Sequence, residues 1–205
     1  IEASIALSIV RRLAQGLQQA AELGFDYQFL QAATIMLEGE SRPILLGLDL
    51  ASHFDLPALA AEAPAVQTAF LAPEQRAGDG TDERSLLYSL GVLLAALLAP
   101  AWLYGTDGLA ADAVPEPPVE VLATLQEEVS PEAFALLQVA LQRNPAARQK
   151  DLSSFLQAAR AAELAEAGDD DGAAVAAAGL AQPRGWKPSG VPKSVVGARS
   201  VEMAE

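Results

Sequence analysis

A chain of 205 residues with 51% hydrophobic content is long enough to form one globular domain around a sizeable core. Its 13 basic and 27 acidic side chains leave a net charge of −14, which argues against a nucleic-acid or anionic-membrane surface because phosphate binding needs clustered cations. The absence of cysteine excludes a disulfide framework, a thiolate zinc site and a cysteine nucleophile, and fits a reducing, cytoplasmic setting.

The first predicted element is an amphipathic helix. Ile5, Ile9, Leu13 and Leu17 recur every four residues, with Arg11, Arg12, Gln15, Gln18 and Gln19 between them, and the pattern stops near Gly24. This opening stretch has no basic start and no cleavage site, so no secretory signal is expected. The chain begins with Ile1 rather than methionine and is read as a fragment. A small hairpin follows, with strands at 34–37 and 43–46 around the acidic turn Glu38-Gly39-Glu40-Ser41.

Further helices are predicted at 83–99, 117–128, 131–142 and 151–167. Ser130-Pro131-Glu132 and Lys150-Asp151 supply starts of the expected kind. Residues 86–105 carry no charge, yet Pro100 limits the uninterrupted apolar helix to 86–99. That length suits a buried core helix rather than a bilayer crossing, which takes about 20 residues. Beyond Gly168 the composition changes to an acidic triplet, an Ala/Gly run and a Pro-containing stretch. Residues 1–167 are therefore read as the domain and 168–205 as a flexible linker or interaction tail. Between Gly172 and Val201 the charges are Arg184, Lys187, Lys193 and Arg199. Trp186 lies among them as a candidate interaction anchor for an acidic surface.

Two short motifs suggest a relationship. Ala72-Pro73-Glu74-Gln75 is followed by Tyr88-Ser89-Leu90-Gly91 on the long apolar helix, and later by Asn144-Pro145-Ala146-Ala147-Arg148. In order and spacing the chain resembles the C-terminal lobe of a protein kinase of the bacterial Ser/Thr type, over residues 3–165. The resemblance implies a mainly α, kinase C-lobe-like helical domain with a small β-hairpin and no N-terminal lobe in this chain. It also implies a structural ion pair between Glu74 and Arg148, tying the activation segment to the last helices.

The same resemblance implies that the chemistry is gone. The family's catalytic loop carries His-Arg-Asp, then a lysine and an asparagine, and its Asp-Phe-Gly aspartate holds magnesium. The corresponding positions here are Tyr27, Gln28, Phe29, Gln31, Thr34 and Gly47, and Leu86 replaces an aspartate of the long helix. Phenylalanine accepts no proton and glycine ligates no metal. Asp26 and Asp49 lie close by in sequence but are ordinary loop aspartates, and His53 has no evident base partner. Gly78-Asp79-Gly80 is a turn rather than a phosphate loop.

The expected function is thus that of an inactive, kinase-like scaffold or protein-interaction module in a bacterial signalling or multiprotein assembly. It is expected to be no enzyme and to use no cofactor or metal. Phe29, Leu48 and Trp186 are the candidate contact residues. Another protein or an upstream segment is expected over the apolar face around Tyr27, Phe29, Leu48 and Leu50. No nucleic acid is expected as a partner, and a membrane only if the tail leads to an anchor outside this chain. The alternatives are a nucleotide sensor or weakly active Ser/Thr kinase whose N-terminal lobe lies upstream, and an unrelated helical adaptor.

Overall fold

The architecture is taken from a computed structural model that describes residues 1–25, 27, 29–47, 58, 68–104 and 119–178. Helix α1 spans Ala3–Glu22, as its four-residue apolar repeat predicts, and buries Leu7, Ile9, Val10, Leu13 and Leu17. It ends in a Schellman motif. Gly24 takes φ 85, its N–H donates to the Ala21 carbonyl at 3.0 Å, and the Phe25 N–H reaches back to Ala20 at 2.9 Å.

The hairpin consists of β1 (Ile35–Glu38) and β2 (Arg42–Leu45), antiparallel, with Ile35 opposite Leu45 and Glu38 opposite Arg42. Both strands sit one residue off the predicted spans. Thr34 belongs instead to a 3-10 turn, Ala32–Thr34, although its carbonyl still accepts from the Leu46 N–H at 2.8 Å.

A short helix, α2 (Pro73–Ala77), closes at Gly78 with φ 76. The long helix α3 (Glu83–Leu98) is capped by Asp82, whose carboxylate accepts from the Arg84 N–H at 2.8 Å. Its residues from Ser85 to Ala96 are all buried, so it forms the centre of the core. A single turn, α4 (Pro100–Tyr104), follows where Pro100 was expected to end the apolar run. No helix among the described residues is long and apolar enough to cross a membrane.

Helices α5 (Val119–Glu128) and α6 (Pro131–Ala140) match the expected positions, and Ser130 caps α6 by accepting from the Ala133 N–H at 3.2 Å. The last helix, α7, runs from Leu152 to Ala178, with Gly168 non-helical at φ 70, ψ 166. Helical backbone resumes beyond Gly168, where a tail without regular structure was expected. The physical reason is the alanine-rich run 173–178, whose residues have the highest intrinsic helix propensity. Residues 179–205, including Trp186, lie outside the described residues.

Packing explains the order of elements. Helix α1 lies against α7 and α3, α6 against α7 and α3, and β2 against α1. The α3–α6 crossing depends on Gly91. A Cβ at that position would stand 2.8 Å from the Ala140 Cβ and 3.3 Å from the Leu141 Cδ2. Replacing a helical glycine by alanine ordinarily adds about 1 kcal/mol of helix stability. Here the overpacking outweighs that gain, so Gly91→Ala is expected to destabilise by about 1–3 kcal/mol. Adding Ala140→Gly should recover part of the loss. A denaturant melt showing Gly91→Ala as stable as the parent would refute the close approach.

Candidate functional site

The described residues between α1 and β1 bond among themselves at three points through side chains. Tyr27 is buried and its hydroxyl donates to Thr34 Oγ1 at 3.2 Å. Burial raises the Tyr27 pKa above its ordinary value, against the smaller, lowering effect of the Thr34 hydrogen bond. Thr34 Oγ1 in turn donates to the Gln31 carbonyl at 2.8 Å and accepts from the Gln31 N–H at 3.5 Å. Tyr27 and Thr34, two positions where the resemblance places polar catalytic groups, thus hydrogen-bond to each other. Leu86 faces the core, 7% exposed. Gly47 is described and left-handed, at φ 72. Gln28, Leu48 and His53 lie outside the described residues, as do Asp26 and Asp49.

One expectation is overturned here. Phe29 was expected to line an exposed apolar face together with Tyr27, but the two are only 7% and 6% exposed. A large aromatic side chain gains more by burial than by waiting for a partner, and these two are already covered by their own chain. Exposed large apolar groups lie instead on the hairpin, at Met36, Leu37 and Leu46, and at the end of α1, at Leu23 and Phe25.

The second cluster is built around Arg148. Its NH1 donates to Glu74 Oε1 at 2.7 Å and its NH2 to Glu74 Oε2 at 2.9 Å, a bidentate fork. The remaining donors meet backbone carbonyls: Nε to Gln142 at 2.7 Å, NH1 to Arg84 at 2.9 Å and NH2 to Arg143 at 3.1 Å. All five guanidinium N–H groups therefore have acceptors. The guanidinium carbon stands 5.0 Å from the centre of the Tyr88 ring. Ser85 Oγ donates to Glu74 Oε1 at 2.8 Å. Burial pushes the Glu74 carboxyl up, but hydrogen bonds from Arg148 and Ser85, its backbone surroundings and the Arg148 charge bring it below the ordinary carboxylate range.

Local sequence explains how these groups meet. Pro73 at the first position of α2 starts that helix with φ already set, presenting Glu74 in its first turn. Asn144 accepts from the Ala146 N–H at 3.0 Å and opens the 3-10 turn Pro145–Ala147, which delivers Arg148 to the carbonyls just past α6. Glu74 and Arg148, 74 residues apart, are in contact as the resemblance implies.

A second buried pair was not expected from the sequence. Arg11 Nε donates to Glu163 Oε2 at 2.5 Å, joining α1 to α7, with side chains only 10% and 6% exposed. Arg11 NH1 also reaches Gln15 Oε1 at 3.1 Å. A signal for it existed: Leu7, Arg11 and Ala14 share one face of α1, and Phe155, Ala159 and Glu163 share one face of α7. Each charge falls inside an apolar stripe. No group of three or more potential metal ligands occurs among the described residues. No protein-family model matches the chain, and a search of curated proteins finds none similar to it.

Proposed function

We propose that this chain is a non-catalytic, kinase C-lobe-like scaffold that acts through protein–protein contacts in the cytoplasm. The observation that carries the reading is the saturated Arg148 site, which binds the Ala72–Gln75 turn to the loop after α6 through Glu74. The positions that correspond to the family's reactive groups hold Tyr27, Phe29 and Thr34 in the loop after α1, and Leu86 on the core helix in place of a carboxylate. None of these four side chains can act as a carboxylate base or anchor magnesium as an aspartate would. Retained packing with substituted reactive groups is what an interaction role requires. Further support comes from the hairpin, where Met36, Leu37 and Leu46 are each 46–51% exposed.

Calorimetric titration of ATP with magnesium into the full chain tests this. No saturable heat is expected. Sub-millimolar, magnesium-dependent binding would overturn the reading and favour nucleotide sensing.

A further inference from the structure

An open cavity of about 210 Å³ lies between α1, the hairpin turn and the end of α7. It is lined by Ser4, Ser8, Arg11, Arg12, Ser41 and Glu163, with Ile5 and Ala167. Ser4, Ser8 and Arg12 are spaced at i, i+4 and i+8, so they form one polar stripe along α1. Ser41 faces that stripe from the hairpin turn, and Glu163 from α7.

The charges in this wall are not equivalent. Glu163 has both oxygens engaged by Arg11, at 2.5 and 3.5 Å, so this pair forms a nearly neutral surface. Arg12 makes one hydrogen bond among the described residues, from Nε to Ser8 Oγ at 3.3 Å, and none of those residues offers an acceptor to its NH1 and NH2 groups. Four N–H donors of a half-buried guanidinium therefore stand at a cavity with three serine hydroxyls. A guanidinium fork matches the two oxygens of a carboxylate or phosphoryl group, and hydroxyls complete such a shell. A cation is disfavoured by the charge of Arg12. The volume is below the roughly 300–1,000 Å³ of sites for drug-sized ligands, which suits one small oxyanion group and is too tight for a nucleotide.

We propose that this cavity is a binding site for a small oxyanion, a phosphoryl or carboxylate group held by Arg12 with Ser4, Ser8 and Ser41. The site is independent of the kinase-like reading. It also accounts for a half-buried arginine with no carboxylate partner among the described residues, in a region, residues 1–168, that holds 9 basic against 22 acidic side chains. The acidic surroundings do not forbid it, because exposed charges are screened beyond about 8 Å at physiological salt.

The test is an amide chemical-shift titration of the full ¹⁵N-labelled chain with sodium phosphate and, separately, sodium malonate, against sodium chloride at matched ionic strength. Saturable shifts are expected at Ser4, Ser8, Arg12 and Ser41. Saturation by phosphate alone assigns a phosphoryl group, and saturation by malonate alone assigns a carboxylate. Arg12→Gln should weaken binding by roughly ten- to a hundredfold, the worth of charge-assisted hydrogen bonds. Lys150→Gln, which removes the same charge before the start of α7, should leave it unchanged. If Arg12→Gln does not fold, Ser8→Ala with Ser41→Ala reads the same site. Non-saturating shifts that match those in chloride, or equal affinity in the site variants, would overturn the proposal.

Discussion

Arg148→Ala is expected to lower the unfolding free energy by about 3–5 kcal/mol, the cost of removing one partner of a buried pair. The Arg148 side chain is fully buried and that of Glu74 is 13% exposed. The variant strips the Glu74 carboxylate of both its guanidinium bonds and leaves the Gln142, Arg84 and Arg143 carbonyls without their donor. Glu74→Gln keeps an acceptor for the guanidinium and should cost less.

A pH dependence follows from the same site. The Glu74 carboxyl lies below its ordinary value of 4.5 when folded, so the unfolded chain binds the proton more readily. The stability this adds is fully present above that value and is lost as pH falls through the depressed one. Stability curves of the parent and Arg148→Ala should therefore converge in acid. Urea melts from neutral pH downward would show it, and a constant gap would mean that the carboxylate is not the group left stranded.

Helix ends were legible in the sequence because their chemistry is local. Gly24 supplies a left-handed residue, Asp82 and Ser130 supply side-chain acceptors, and Pro131 presets φ, each without help from distant residues. The Glu74–Arg148 contact was legible only through motif order, since nothing local brings together residues 74 positions apart. Two features were misread for a common reason. Exposure of Phe29 was judged from residue type, and the Arg11–Glu163 pair was not anticipated from the polar residues of one helix, whereas burial is decided by what packs against each side chain. The helical segment past Gly168 was missed because glycine and the acidic triplet outweighed the alanine run that follows them.

The Arg11–Glu163 pair carries the second large effect, and it separates two roles of a buried charge. Arg11→Ala would leave a carboxylate at a site where Glu163 is 4% exposed, at the junction of α1 and α7. The expected loss is near the lower end of about 3–5 kcal/mol, because the adjoining cavity lets water approach the stranded oxygen. Glu163→Gln keeps the shape and an acceptor but drops the charge, so it should cost less. Arg11→Met combined with Glu163→Leu removes both charges and fills the volume with side chains suited to the stripes around them. Replacements of this type are commonly neutral or stabilising by about 1–4 kcal/mol, since two desolvation penalties disappear together. Gln15, which loses its bond from Arg11, is exposed and can turn to water. The double variant should therefore melt at or above the parent while Arg11→Ala melts well below it. If the double variant falls as far as Arg11→Ala, the pair holds the α1–α7 junction by its own attraction rather than by relieving a buried charge. If Arg11→Ala melts with the parent, water already reaches Glu163 and the two helices are joined by their apolar stripes alone.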